Sequence, residues 1–310
     1  MNSGRSSKVW LKMVKSRVKE IKRDIEITIG NIRIGDGHPV RVMGVLNVSK
    51  ESFYTGSIVN ESTIAGKAAS MISEGASLLD LGGRSTAPWS PSITIDEETI
   101  RVTQALDVLL PMIAVEEVLV SIDTQYVAVA REALDMFRDH ELEDRFVLND
   151  VSGLRQDPEM AGWINENEVP AIIMASHYVP GDSLGLDEII ADLKSSLSLL
   201  DKDARVITDP GIGHWIPEKE PPYDLDALGN LSVLRQLGCP ILVALSRKSF
   251  IGAVLGGATP DNRYFGSLAA TAVSVVEGAH VIRTHDVNPA VMDTVRVASA
   301  IRAGMNWKGT

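Results

Sequence analysis

The chain has 310 residues, of which 45 % are hydrophobic and 23 % charged, and this ordinary mixture excludes disordered, collagen-like and disulfide-framed proteins. Its formal charge of −11 argues against nucleic acid as the main partner, because neutralising phosphates needs a basic surface. The single cysteine, Cys239, cannot form an internal disulfide, so we expect a reducing, cytoplasmic compartment, and no apolar run reaches the roughly 18 residues that would predict a membrane span.

The first predicted element is a basic amphipathic helix within residues 1–24. This segment has eight Lys or Arg against two acidic residues, a local charge of +6, so residues 25–310 carry −17. One face has apolar residues at three- and four-residue spacing, namely Trp10, Val14, Val18 and Ile21. Docking on the domain or on a partner subunit is favoured, and a membrane-surface or nucleic-acid role is the alternative. Residues 25–29 and 31–34 then alternate apolar and polar side chains around Gly30, which predicts a small hairpin.

From residue 42 onward, short aliphatic runs alternate with stretches of helix length. The runs are 42–46, 77–81, 118–122, 146–148, 171–174, 205–207, 241–245 and 280–282. The predicted helices are 63–74, 97–110, 126–137, 158–167, 186–200, 226–237, 267–277 and 289–303. Near-continuous apolar strands indicate a parallel sheet that helices cover on both faces. The alternation predicts a TIM-type (β/α)₈ barrel over residues 25–310, hairpin included, with an open doubly wound sheet as the alternative.

Polar side chains follow these runs, where a barrel of this type gathers its functional groups at one rim. They include Asn47, Asp80, Asp123, Asn149, His177, Asp209, Lys248, Arg283 and His285. Any one aspartate after a strand could simply cap the next helix, so the prediction rests on the whole set. The carboxylates and Asn149 offer acceptors to a ring edge rich in N–H donors, whereas Lys248, Arg283 and His285 offer positive charge to an anion. The set indicates a heterocycle that bears a phosphate ester.

Eight ordered motifs include all of these residues except His177. They are VMGVLNVSKESF (42–53), DLGGRSTAP (80–88), SIDT (121–124), NDVSG (149–153), DPGIG (209–213), SRKSFIG (246–252), GSLAA (266–270) and RTHDV (283–287). From about residue 25 to about residue 303, the chain resembles the dihydropteroate synthases of the pterin-binding barrel superfamily. The resemblance implies a transferase, of EC 2.5.1.15 type, that condenses 6-hydroxymethyl-dihydropterin pyrophosphate with an arylamine, releases pyrophosphate and uses Mg²⁺. It also implies a homodimer through the outer helices.

The resemblance implies a role for each motif residue. The resemblance assigns pterin binding to Asp123, Asn149, Met174, Asp209 and Lys248. It assigns pyrophosphate binding to Asn47, Arg283 and His285, with Asn47 acting through the metal. The catalytic set is Asp80, Asp123, Lys248 and Arg283, in which an aspartate would stabilise the electron-poor pterin methylene. The acceptor set is Lys50, Arg84, Ser85, Thr86 and Ser249.

The acceptor half of the pattern departs from the family. Arg84 stands where a glutamate is usual, Ala87 where an arginine is usual, and Lys50 where a proline is usual. One hypothesis is therefore a modified acceptor of methanopterin-type pathways, such as ribofuranosylaminobenzene phosphate, whose phosphate Lys50 or Arg84 would bind. The alternative is that both are solvated loop charges and that the acceptor is the p-aminobenzoate of folate biosynthesis. Two other functions also stay open: a pterin-dependent methyltransferase to a corrinoid protein, and an inactive pterin-binding homologue.

Overall fold

The computed structural model describes residues 24–48, 61–85, 92–213 and 216–304, so the predicted basic helix lies almost wholly outside the described residues. The strands are β1 (Glu26–Ile29), β2 (Ile32–Gly35), β3 (Arg41–Asn47), β4 (Leu78–Gly82), β5 (Leu119–Asp123), β6 (Phe146–Asp150), β7 (Ala171–Met174), β8 (Val206–Asp209), β9 (Leu242–Ala244) and β10 (Val281–Thr284). The helices are α1 (Glu61–Ser73), α2 (Ile95–Ile113), α3 (Val127–Asp139), α4 (Met160–Asn167), α5 (Leu186–Leu197), α6 (Pro221–Gly229), α7 (Ser249–Val254), α8 (Tyr264–Val276) and α9 (Pro289–Arg302).

Strands β3 to β10 form one parallel sheet that curls into a barrel. Their order is β8-β7-β6-β5-β4-β3-β10-β9, and a parallel bridge between Thr208 and Ile241 links the two outer strands. The predicted (β/α)₈ barrel is therefore confirmed, and the doubly wound alternative is wrong. Within the described ranges, no helix combines the length and apolar character needed to cross a membrane.

All eight predicted barrel strands are present, but one predicted helix is wrong. The helix expected over 226–237 instead begins at Pro221 and ends at Gly229, and a 3₁₀ helix follows over Leu231–Leu237. Proline suits the first turn of a helix, because its fixed φ is helical and that position needs no N–H donor. The short α7 was not predicted, since six residues are too few to show a helical period.

The hairpin closes the base of the barrel. Ile29, Ile32 and Ile34 are buried in one cluster with a residue from near the start of each barrel strand. The cluster's strand residues are Met43, Leu78, Leu119, Val147, Ile172, Ile207, Leu242 and Val281. Burial of these side chains contributes hydrophobic stabilisation at the end of the barrel opposite the predicted site.

Asp36 ties the hairpin to the outer layer of the barrel. Its carboxylate accepts two hydrogen bonds from Arg235, at 2.9 and 2.7 Å, and one from Arg302 at 3.0 Å. It also accepts the backbone N–H of Ile25 at 3.0 Å. Burial would raise its pKa, but Arg235, the Ile25 N–H and His280 hold the pKa of Asp36 well below its ordinary value.

Candidate active site

Parallel register brings the predicted residues to one level at the carboxyl ends of the strands. Asn47 pairs with Gly82, Gly82 with Asp123, and Asp123 with Asn149 across β3 to β6. Farther round the barrel, Met174 pairs with Asp209 across β7 and β8. Side chains from Asn47 to Asp209, which are far apart in the chain, therefore share one cavity mouth.

Asp80 is the buried centre of the hydrogen-bond network. Its Oδ1 accepts the Ser121 hydroxyl at 2.6 Å and the Asn149 amide at 3.1 Å. Its Oδ2 accepts Nε of Arg283 at 2.6 Å. With three donors on a fully buried carboxylate, Asp80 holds the guanidinium of Arg283 and the amide of Asn149 in fixed orientations.

Asp123 shares the same arginine but keeps one oxygen available. Its Oδ2 accepts from Arg283 at 3.0 Å, whereas its buried Oδ1 has no hydrogen-bond partner among the described residues. Burial, and then repulsion from Asp80, raise the pKa of Asp123 to about 8, although Arg283 opposes the shift. A buried acceptor without a donor is costly, so this oxygen is suited to an N–H group of a ligand.

Asp209 and Lys248 form the opposite wall. Oδ1 of Asp209 accepts the backbone N–H of Gly211 at 2.8 Å. Burial raises the pKa of Asp209, partly offset by that N–H and by Lys248, and burial lowers the pKa of Lys248 to about 8, partly offset by Asp209. Gly211 has a φ of +67°, and a Cβ there would lie 3.3 Å from Cγ of Met174 and 3.1 Å from the Ala175 carbonyl. A glycine therefore lets this loop lie close to β7.

Positive charge concentrates around His285. Burial lowers the pKa of His285 to about 3, and four cations add to the shift. In decreasing effect, the cations are Arg283, Lys67, Lys248 and Arg247. Arg247 also joins two motifs, since its guanidinium meets the Asp286 carboxylate at 3.1 Å. Such a cluster of cations around a neutral imidazole favours the binding of an anion.

The structure brings only some of the predicted acceptor residues to this site. Lys50 and Thr86 lie outside the described residues. Ser249 is exposed at the start of α7. The remaining pair, Arg84 and Ser85, lies in the loop after β4.

Arg84 is engaged by the protein itself. Its Nε donates to the buried Glu98 of α2 at 2.6 Å, and its guanidinium lies over the Tyr126 ring, 5.1 Å from the ring centroid. The other Glu98 oxygen accepts the Thr124 hydroxyl at 2.7 Å. Gly83 permits this approach, because a Cβ there would lie 3.0 Å from the Glu98 carbonyl oxygen. Arg84 therefore anchors the loop to α2 and is not a solvated loop charge.

Sequence reasoning missed Lys219, a buried lysine behind Asp209. Its ammonium donates to the carbonyls of Gly181 and Gly211 at 2.9 and 2.8 Å, and burial lowers its pKa. It thus fixes the loop that carries Asp209. His177, expected at the rim, contacts Asp192 of α5 at 2.9 Å. No spacing in the sequence pointed to either contact.

A metal ion could not be held here by the described residues alone. Among them, no three His, Cys, Asp or Glu side chains converge as ligands. Asn47 supplies a single amide oxygen at the end of β3. That donor set fits Mg²⁺ only where substrate phosphates and water complete the coordination, which is the usual arrangement for Mg²⁺ in phosphate chemistry.

The geometry can hold a flat heterocycle by its polar edges and an anion beside it. Comparisons with known proteins agree. The profile of the family described as "Pterin binding enzyme" matches residues 43–285. The dihydropteroate synthase of Synechocystis sp. is 32 % identical over 290 residues, which cover 89 % of this chain and 94 % of that protein. The chain spans only 30 % of a 34 % identical relative from Haloferax volcanii, named a probable bifunctional folylpolyglutamate synthase/dihydropteroate synthase.

Solved structures give the same result. Dihydropteroate synthase from Xanthomonas albilineans with 4-aminobenzoic acid has a TM-score of 0.73 at 30 % identity, covering 91 % of this chain and 99 % of that one. The Burkholderia cenocepacia enzyme complexed with 7,8-dihydropteroate has a TM-score of 0.73 at 30 % identity, covering 90 % and 97 %.

Fold, site and family profile together define a pterin-binding barrel enzyme. The chain belongs to the dihydropteroate synthase family, whose members are transferases of folate biosynthesis. The resemblance drawn from the motifs is thereby confirmed.

Proposed function

We propose that this chain condenses 6-hydroxymethyl-dihydropterin pyrophosphate with p-aminobenzoate at the mouth of its barrel. The observation that carries the assignment is the Asp80–Arg283–Asp123 network, which leaves a buried Asp123 oxygen without a partner among the described residues. A pterin offers N–H groups to such acceptors, and the cations around His285 suit its pyrophosphate.

The described residues have distinct parts in this reaction. Asp209 accepts hydrogen bonds from the pyrimidine edge of the pterin, while Lys248, Asn149 and Asp123 contact its other polar atoms and Met174 packs against the ring. Each charge-assisted bond in such a site contributes about 1.5 to 3 kcal/mol. The amine nitrogen attacks the pterin methylene carbon, the C–O bond breaks with its electron pair on pyrophosphate, and the amine releases one proton to water.

Charge stabilisation at both ends of that bond follows from the network. Asp80 and Asp123 stabilise the cationic character that develops on the methylene as the C–O bond lengthens. Arg283 and His285 contact the departing pyrophosphate, together with Asn47. When bound, Mg²⁺ supplies further neutralisation of the pyrophosphate oxygens, with Asn47 as its protein ligand.

The acceptor follows from the altered loop. The Arg84 ion pair with buried Glu98 gives this arginine a role in the fold, which removes one of the two cations that would recognise a phosphorylated arylamine. The solved relative from Xanthomonas albilineans holds 4-aminobenzoic acid, which supports the unmodified acceptor.

A competition experiment tests the function. The chain is mixed with Mg²⁺, the pterin pyrophosphate and equal amounts of p-aminobenzoate and its ribofuranosyl phosphate derivative, and the products are identified by mass spectrometry. We expect pyrophosphate release and the p-aminobenzoate adduct. A phosphorylated adduct would restore the modified-acceptor hypothesis, whereas no pyrophosphate release would favour the methyltransferase or the inactive homologue.

Two substitutions test the pterin subsite itself. Lys248→Ala and Asp209→Asn each remove a charged partner of the ring edge, so we expect calorimetry to show at least a tenfold loss of pteroic acid affinity. Lys194→Ala, on the outer helix α5, is the matched control and should bind as the wild type does. Wild-type affinity in either site variant would contradict these roles.

A homodimer is part of the same proposal. Helices α8 and α9 border a groove of about 740 Å³ whose apolar side chains include the exposed Val273, Val276, Val297 and Ile301. An exposed apolar patch of this kind marks an interaction surface, and we propose a second copy of the chain as its occupant. The cytoplasmic compartment also belongs to the proposal, on the basis of the single cysteine.

A further inference from the structure

Helix α1 presents Lys67 to the anion side of the site. The helix runs from the mouth of the barrel back to its base, because it connects the carboxyl end of β3 to the start of β4. Its buried face includes Ile64, Ala68 and Met71. Lys67 comes three residues after Ile64 and four before Met71, so it shares this inward face and is half-buried.

Packing around Met71 sets the level of Lys67 along the barrel. A Cβ built on Gly44 would lie 2.5 Å from the Met71 sulfur and 3.1 Å from Cγ2 of Val287. Met71 therefore packs where β3 meets the loop after β10. Lys67 lies about 6 Å nearer the mouth, one turn of helix away, towards the residues that precede Val287 in that loop.

The electrostatic interactions agree with this position. Burial lowers the pKa of Lys67 and Asp286 opposes the shift, so the two charges are neighbours. Lys67 also contributes to the low pKa of His285, after burial and Arg283. Asp286 is contacted by Arg247 as well, at 3.1 Å, so one carboxylate serves two cations. Among the described residues on this side of His285, two cations therefore share one carboxylate.

We propose that Lys67 binds the pyrophosphate group of the substrate, together with Asn47, Arg283 and His285. The inference rests on the proposed function and adds a residue that lies outside the family motifs. Lys67 keeps its proton throughout: its ammonium neutralises the oxygen charge that grows as the C–O electron pair passes to pyrophosphate. A half-buried ammonium that shares its carboxylate is stabilised by such an anion.

Calorimetry with inorganic pyrophosphate and Mg²⁺ tests the role of Lys67. Lys67→Met keeps the apolar stem and removes the charge, so we expect about a tenfold loss of pyrophosphate affinity, with a similar rise in KM for the pterin pyrophosphate. Lys67→Arg keeps the charge and should retain affinity within about threefold. Lys202→Met removes an exposed lysine elsewhere and is the matched control.

Pteroic acid separates the outcomes, because it contains the pterin and no phosphate. Unchanged pteroic acid binding beside weakened pyrophosphate binding in Lys67→Met supports the proposal. Wild-type pyrophosphate affinity in that variant overturns the proposal and leaves the proposed function standing. Equal loss of both ligands also overturns it, since Lys67 would then support the site as a whole. If the wild type binds neither ligand, the proposed function fails and the Lys67 assignment fails with it.

Discussion

Asp123 and Lys248 have pKa values displaced towards about 8 from opposite directions. Burial and Asp80 raise the pKa of the carboxyl, whereas burial lowers the pKa of the ammonium. As pH rises, Asp123 loses a proton and becomes a stronger acceptor, and Lys248 loses its positive charge. Ligand binding that needs both charges therefore strengthens towards about pH 8 and weakens above it.

This gives a prediction for the pH dependence of pteroic acid binding. Affinity measured from about pH 6 to about pH 10 should pass through a maximum near 8. Asp123→Asn should remove the acidic limb, because the amide does not titrate. Lys248→Arg should remove the alkaline limb, since a guanidinium stays charged. An unchanged profile in Asp123→Asn would show that another group titrates.

At the residue scale, the sequence predicted which polar residues gather at the site, but it missed the contacts that some residues make with distant segments. Asp123 and Asn149 were recognisable because an apolar run ends at each of them, at the rim where a barrel gathers its polar groups. The Arg84 ion pair with Glu98 and the burial of Lys219 depend on contacts between distant segments. Neither leaves a periodic signal, so no reading of one sequence without the fold could have found them.

At the scale of elements, the hairpin depends on one carboxylate. Asp36→Ala leaves Arg235 and Arg302 without their shared anion, so we expect a loss of about 2 kcal/mol in the free energy of unfolding, less than for a fully buried pair because Asp36 is partly solvated. Unfolding in urea measures this loss in the free energy of unfolding. Asp135→Ala breaks a surface pair with Arg138 on α3 and is the matched control, with little change expected.

The same cluster makes stability depend on pH. Burial and Arg302 lower the pKa of His280 to about 4, so the unfolded chain binds a proton first as pH falls from about 6.5, and stability declines from there to about 4. The low pKa of Asp36 adds a further loss below about pH 4, where the unfolded carboxyl gains its proton. Equal unfolding midpoints for Asp36→Ala and Asp135→Ala at pH 7 would contradict the role of Asp36.

The boundaries of the helices show where sequence patterns fail to predict the structure. The eight strands were predictable because burial on both faces makes each one a continuous apolar run. Helix α6 was misplaced because two prolines look like a breaker, although Pro221 begins the helix. The segment after it is a 3₁₀ helix that ends at Leu237 and is followed by Gly238, whose φ is +74°. Apolar spacing alone does not distinguish this shape from an α-helix.

At the scale of the whole molecule, the groove between α8 and α9 predicts the subunit count. Light scattering of the purified chain should give the mass of two copies. Val297→Glu places a charge on the apolar patch, where Val297 is 60 % exposed, and should yield single copies. Val115→Glu, at an 83 % exposed position after α2, is the matched control and should stay dimeric. A single-copy mass for the wild type would contradict the proposal.

The net charge of the whole molecule does not show how charge is distributed locally. Residues 25–310 carry −17, yet the cations around His285 favour an anion. Net charge was a sound guide against nucleic acid, which contacts a broad surface, and a poor guide to a small phosphorylated substrate, which meets only a few side chains.

The hairpin at the base of the barrel also has a kinetic consequence. Since Ile29, Ile32 and Ile34 fill that end, the substrates and products of the proposed reaction pass through the mouth. The residues that we propose for the pterin, such as Asn149 and Asp209, lie at the carboxyl ends of the strands. In the proposed reaction, an arylamine that arrives first would obstruct the pterin pyrophosphate, so we expect a compulsory order with the pterin first and the arylamine second.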